Sequence, residues 1–347
     1  MKKFFTLFAA LCFAGALSTS ARAATTCTFT TSGTTMTLNG SCTTDASIVV
    51  PNGFTLDGAG YTITAIDPPA GHFVGGVIQN GGGSANVTNV VITASGLSDI
   101  CDAGANRLRG ILFDTASGSI SGVQVVNLNQ GASGCQEGNA IEVRNFTPSA
   151  ATSRVRVDAN TAKNYQKTGI IANGNVDATI TDNTVDGGGP VGYIARNGIQ
   201  VGFGATGMVK RNTVTGNSYT GPGAIACGVL VFSDQSAGDP LSVGTQVMQN
   251  TISENDVGVL AEQYGLDGFS APAAQTNVKI TNNVISKTGV TNGYVYQAGV
   301  ADIGNNDKII SNRISGAGYD PNTLPGSTFA VDADPSFTNR PKVHANK

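Results

Sequence analysis

The sequence predicts an all-β chain wound into a single right-handed parallel β-helix solenoid of about nine to ten coils, ~30 residues each, capped at both ends. Three observations predict it: a short strand that recurs at a fixed interval, a second strand in phase with the first, and a composition built for strands and tight turns. The first motif opens on a small residue and continues β-branched-x-apolar. It appears at Gly76–Gln79, Gly110–Phe113, Ala140–Val143, Gly169–Ala172, Gly198–Val201, Gly228–Val231, Gly258–Ala261 and Gly299–Asp302. From position 110 the intervals are 30, 29, 29, 30 and 30, then 41.

The second motif is apolar-x-x-Asn-x-β-branched. It runs through Ile180–Val185, Val209–Val214, Val247–Ile252, Ile280–Ile285 and Ile309–Ile314, with a weaker copy at Val157–Asn160. One such unit cannot bury its own apolar residues. Stacked units can, because each strand bonds to its counterparts above and below and the inward residues form columns of Ile and Val. Asn is expected at the bend because it tolerates left-handed backbone. Its amide can also bond turn backbone or the next Asn in the stack. Scarce Leu excludes leucine-rich repeats, and no 3.6-residue period supports a helical solenoid.

Composition agrees. The 347 residues include 46 Gly, no Trp and two His; 12% are charged and 40% apolar, which is too apolar for disorder. Net charge is −3 with no basic cluster, so no nucleic-acid partner is expected. Lys2 and Lys3, the apolar stretch Phe4–Leu17 and the small-x-small site Ala21-Arg22-Ala23 read as a signal peptide over 1–23, cleaved after Ala23. The apolar stretch is too short to span a bilayer, and bulky Leu11 before Cys12 argues against a lipid anchor. The mature chain is expected to be secreted or periplasmic, without a membrane span, and monomeric.

Further divisions follow. Residues 24–47 form an N-terminal cap, with Cys27 and Cys42 bracketing a hairpin centred on Thr31–Thr34 and bridged by a disulfide. Residues 48–316 form the helix, and 317–347, with Pro321, Pro325, Pro335 and Pro341, an irregular C-terminal cap and mobile tail. Cys101 and Cys135 lie one repeat apart, within reach of a second disulfide. Cys227 is left over beside Val229–Val231 and reads as a buried, inert thiol.

The run Ile48–Ile63 resembles the opening of secreted β-helix proteins of the pectate-lyase-like superfamily. The later Gly-Ile-x-Val and Asn-x-Val strands resemble its repeats, over most of 45–316. The resemblance implies architecture more than chemistry. The Asp-rich clusters of polygalacturonases and the regular Asp and Arg of Ca²⁺-dependent pectate lyases are not found, which weighs against carrying either activity over.

No catalytic motif stands out: His72 lies in a loop and His344 in the tail, and a zinc site is not expected. No cofactor is certain. Ca²⁺ stays open, with Asp182 and Asp186, or Asp99 and Asp102, as candidate ligands against their reading as solvated turn aspartates. Three loops stand out as groove builders or as ornament: Pro68–Gly71, Leu97–Asn106, and 261–277 with Tyr264, Asp267 and Phe269.

One constellation suggests chemistry. Lys167 and Arg196 precede equivalent repeat glycines, so they would stack about 5 Å apart. Alternation turns Glu142, Arg144 and Gln200 outward on the same sheet. Tyr165 and Tyr193 precede the same strands. Paired cations would neutralise a uronate carboxylate, and Lys167 and Arg196 would be the catalytic pair in β-elimination. Glu142, Arg144, Tyr165, Tyr193 and Gln200 would bind the chain. The competing reading is of charges that keep one sheet soluble. Two functions follow: a lyase or epimerase acting on an acidic, uronate-containing glycan, or a non-catalytic extracellular glycan-binding or structural β-helix. Leu230, Phe232 and Leu260, also outward, imply that a loop covers part of that face.

Overall fold

A computed structural model describes residues 25–147, 149–291, 293 and 295–347, so the expected signal peptide, 1–23, lies outside the described residues. The chain is all-β, a parallel solenoid of about ten turns. Each turn visits three sheets in order. Phe54–Asp57 belongs to sheet A, Thr62–Ala65 to sheet B and Gly76–Asn80 to sheet C, and the chain returns to sheet A at Ser84–Thr88. Sheet A has twelve strands and sheets B and C ten each, among the described residues.

Period-2 alternation accounts for the core. On sheet C, Ile111, Ile141, Ile170, Ile199, Val229, Val259 and Val300 are register partners in successive coils, and all are fully buried. Ile120, Val157, Ile180, Val209 and Val247 form the matching column of sheet A. Val125, Ala162, Val185, Val214 and Ile252 form that of sheet B. Burying each Val or Ile contributes about 1.5–3 kcal/mol. The small residue that opens each sheet C strand has a steric cause. A Cβ on Gly198 would stand 2.4 Å from Val214 Cγ1 and 2.5 Å from the carbonyl oxygen of Gly228.

The recurrent Asn stacks and bonds turn backbone as expected, but it is not the left-handed residue. The left-handed residue at the corner between sheets A and B is the one before it: Asp182 (φ 58°), Arg211 (φ 56°) and Gln249 (φ 57°). The Asn is buried inside the corner. Seven of them, from Asn160 through Asn183, Asn212, Asn250, Asn283 and Asn312 to Asn346, form a continuous ladder. Each amide donates to the next Oδ1 at 2.9–3.0 Å. Asn212 Nδ2 also donates to the carbonyl of Ile180 at 3.0 Å, and its Oδ1 accepts the backbone N–H of Asn183 at 2.9 Å. Corner backbone that no strand partner reaches is thereby satisfied, which is why Asn is buried here.

At the N-terminal end Phe29–Ser32 pairs antiparallel with Thr35–Leu38, and the Cys27–Cys42 disulfide closes the segment. Cys101–Cys135 is also bonded, and Cys227 is free and buried. Residues 317–347 were expected to be irregular. Most of the segment is turn and coil, but Thr328–Asp332 joins sheet C, Lys342–His344 joins sheet A, and Asn346 adds one more rung by accepting the Asn312 N–H.

Two acids sit inside the C-terminal coils. Asp302 accepts the Thr338 hydroxyl at 2.6 Å; Asp307 accepts the Thr276 hydroxyl at 2.6 Å and the Val278 N–H at 2.7 Å. The carboxyls hydrogen-bond each other, and burial raises both, Asp307 to about 8, with the neighbouring Asp302 charge adding to it. Asp302 Oδ1 and Asp307 Oδ2 have no other partner, so one shared proton serves both.

Two outcomes follow. Replacing Asn212 with Ala orphans the Asn183 N–H, the Asn183 amide and the Ile180 carbonyl, and should lower stability by about 3 kcal/mol or more in denaturant unfolding. Asp307 has a folded pKa above its unfolded one, so its stabilisation is complete below about pH 4 and is lost as pH rises toward about 8. Asp307→Asn should flatten the fall in melting temperature across that window and raise the melting point at its alkaline end. An unchanged slope would place the titration elsewhere.

Candidate functional site

The predicted patch does not assemble as a surface. Glu142 does leave sheet C outward, but the 95–108 loop closes over it. Its Oε2 accepts Arg109 Nε at 2.7 Å and Asn139 Nδ2 at 2.8 Å. Arg109 in turn donates to the carbonyls of Gly104, Ala105 and Arg107, which leaves Glu142 5% exposed. Arg144 pairs with Asp114 at 2.7 Å, and Gln200 donates to Asn173 at 3.1 Å.

Arg196 and Tyr165 are corrections. Arg196 is 2% exposed and donates to the carbonyls of Gly187 and Gln166 and to the Tyr193 hydroxyl, with its guanidinium 5.6 Å from the Tyr193 ring centre. Tyr165 lies wholly inside the coil, its hydroxyl donating to Asn217 at 2.5 Å. Both sit in the corners between sheets B and C, where strand alternation no longer fixes direction. Corner carbonyls that lack strand partners capture the guanidinium. Lys167 behaves otherwise. Its Nζ donates to the Ala195 carbonyl at 2.7 Å, and it borders an open groove.

That groove, of about 640 Å³, lies over the C-terminal half of sheet C. Its floor is the outward column Leu230, Leu260 and Ala301, in register on successive coils, with Cys227 one step aside. Lys167, Ile225 and Tyr296, from corners between sheets B and C, form one wall. Tyr264, at the end of the sheet C strand Val257–Tyr264, forms the other with Phe269 and Phe337 from corners between sheets C and A, these two edge to face at 5.0 Å. The 261–277 loop therefore builds the groove. The 68–71 and 97–106 loops lie away from it, beside the Cys101–Cys135 disulfide, where His72 pairs with Asp102 at 2.7 Å.

Titratable groups converge here. Tyr264 donates to Glu262 at 2.7 Å, and Tyr296 donates to Asp332 at 2.6 Å. Burial raises the Glu262 carboxyl and both tyrosines, and the Glu262 charge adds to each tyrosine's shift. Burial lowers the Lys167 ammonium to about 8. The thiol of Cys227 is pushed well up by burial and is inert as a nucleophile.

The Ca²⁺ candidates do not converge. Asp182 is bidentate to Arg211 at 2.8 and 2.6 Å, and Asp186 faces Lys163 at 3.4 Å. Asp99 lies 3.5 Å from the sulfur of Cys135, and Asp102 is taken by His72. Among the described residues no three His, Cys, Asp or Glu side chains are grouped to hold a metal, and no helix is long and apolar enough to cross a membrane. Glu262, Tyr296, Asp332 and Phe337 were not singled out from sequence. Their signal lay in Leu230 and Leu260, apolar where the pattern wants polar, and in the adjoining 261–277 insertion.

No known family profile matches the sequence, and no curated protein matches it. Among solved structures, the Dettilon tailspike protein gp208 is similar with a TM-score of 0.52 at 15% identity, over 90% of this chain and 59% of the tailspike chain. This chain thus spans about three fifths of the tailspike's length. A mutant of the periplasmic alginate epimerase AlgG follows at 0.49, 14% identity, 84% of this chain and 74% of the other. The A-module of the Azotobacter vinelandii mannuronan C-5 epimerase AlgE6 gives 0.45, 12% identity and 90% of both chains. The tailspike likeness bears on architecture alone and agrees with the strand topology: the chain is a parallel β-helix protein.

Proposed function

We propose that this chain is an exported β-helix that engages polysaccharide through the sheet C groove, and that Glu262 donates a proton to a glycosidic oxygen there. The observation that carries the reading is the make-up of the groove: an aliphatic floor, aromatic walls, and two carboxylates each held by a tyrosine hydroxyl. A pyranose ring offers apolar C–H faces to such walls and hydroxyl edges to such carboxylates. A carboxyl raised by burial stays protonated at higher pH, as a general acid must. Asp332 stands two coils on, roughly 10 Å along the axis. It is offset by two residues in register as well, so it reads as a sugar-binding group beside the Glu262 acid. Two disulfides support export, as does the signal-like N-terminus.

Charge favours a neutral or sparsely charged glycan. Asp332 and Asp334 border the groove against Lys167, and Arg196 has turned away from it. A uronate polymer would meet net repulsion.

A second reading has one observation behind it. The Lys167 amine, lowered to about 8, is partly neutral in mild alkali and could serve as the base of an elimination.

Glu262→Gln should lower the release of reducing ends from neutral polysaccharides by about 10²–10⁴-fold with melting temperature unchanged. Turnover that survives the substitution would remove Glu262 from the chemistry. Binding with no turnover in the native chain would leave a glycan-binding protein. An elimination would instead yield an ultraviolet-absorbing unsaturated product. Its rate would rise with pH through about 8 as Lys167 loses its proton, and Lys167→Ala would abolish it.

A further inference from the structure

The apolar surface of the groove continues past its N-terminal end. Phe232 packs against the cluster that floors the groove, and it begins a row of rings along the corner between sheets C and A. Phe203 lies 5.3 Å from Phe232 at 60°, and Phe146 lies 6.2 Å from Phe203 at 74°. Phe146 is 56% exposed, and the other two are partly buried.

Two details show that core packing does not demand this row. Phe203 has φ 57°, in the left-handed region that a bulky side chain seldom adopts. The preceding coil places Gly174 at the same corner, with φ 77°. Second, Phe146 reaches Phe203 only because Gly174 lies between them without a side chain. A Cβ there would stand 3.1 Å from Phe146 Cδ1 and 2.3 Å from the Asn145 carbonyl oxygen. Left-handed residues are general at these corners, Thr115 (φ 54°) among them, so what sets Phe203 apart is its aromatic side chain and its place in a row that ends on exposed Phe146.

The flanks of the row identify its occupant. Asn173 and Gln200, bonded to each other at 3.1 Å, lie to one side, and the Thr115 and Thr147 hydroxyls, 2.9 Å apart, lie at the Phe146 end. The adjacent charges, Arg144 and Asp114, cancel in an ion pair. A narrow apolar strip edged by uncharged amides and hydroxyls complements a ribbon with apolar faces and hydroxylated edges.

We infer that Phe146, Phe203 and Phe232 form a second saccharide platform continuous with the groove, so that the ligand is a linear neutral glycan lying along the solenoid axis. This rests on the groove's reading as a saccharide site. The test is calorimetric titration of the mature chain, Phe146→Ala and Phe203→Gly with cello-, xylo- and manno-oligosaccharides from disaccharide to octasaccharide. Glycine suits φ 57°, so the second variant keeps its fold, checked by melting temperature. Native affinity should climb with chain length. Each variant should lose roughly two- to tenfold of long-chain affinity while disaccharide affinity stays unchanged. Long-chain affinity unaltered in both variants would overturn the platform and leave the groove standing. Failure of the native chain to bind any length would overturn the groove reading, and the platform with it.

Discussion

Every coil must return to the same height and phase as the one before it, and the rest of the structure depends on that register. No coil has a core of its own. The columns of Ile and Val exist only if residue 141 lies on 111 and 170 on 141. The buried Asn ladder enforces this at one corner. Each rung joins two coils through both backbone and side chain, so a slipped coil would strand several buried polar groups at once. Gly198, Gly228 and Gly258 permit the close stacking at the start of each sheet C strand, where a side chain would run into the carbonyl of the coil above. With register held at the Asn corner between sheets A and B, the other two corners are free to vary in length, and the groove walls come from those.

The architecture was legible because it is periodic. The glycine intervals fixed the sheet C column, and the Asn motif marked a corner, although the left-handed residue proved to be its neighbour. The site was less legible because it lies where the period stops. Lys167 and Arg196 are equivalent by repeat position, yet one reaches the groove and the other is drawn to the carbonyls of Gly187 and Gln166. Glu142 points outward as alternation requires, but the 95–108 loop and Arg109 cover it. Tyr165 turns inward from a corner that has no alternation to obey. Glu262 and Asp332 meet the groove only through the stacking of strands far apart in sequence, which a motif search does not register.

The groove and the core use burial in opposite senses. In the core, buried polar groups are matched one to one, as in the Asn ladder. Around the groove the matching is charged and asymmetric: tyrosine hydroxyls donate to Glu262 and Asp332, burial raises the acid and lowers the amine, and water has access from one side only. Buried groups with shifted proton affinity beside an open apolar floor are what distinguishes this face from the solvated outer faces of sheets A and B.

The first strand, Phe29–Ser32, runs against the grain of every other strand in its sheet. A solenoid is in principle endless, since the last coil of one molecule offers a parallel template that the first coil of another could extend. Reversing the outermost strand gives the two ends of the molecule incompatible polarity. The disulfide between Cys27 and Cys42 holds that reversal in place. The hairpin therefore removes, at the edge of sheet A, the parallel template that stacked coils otherwise present.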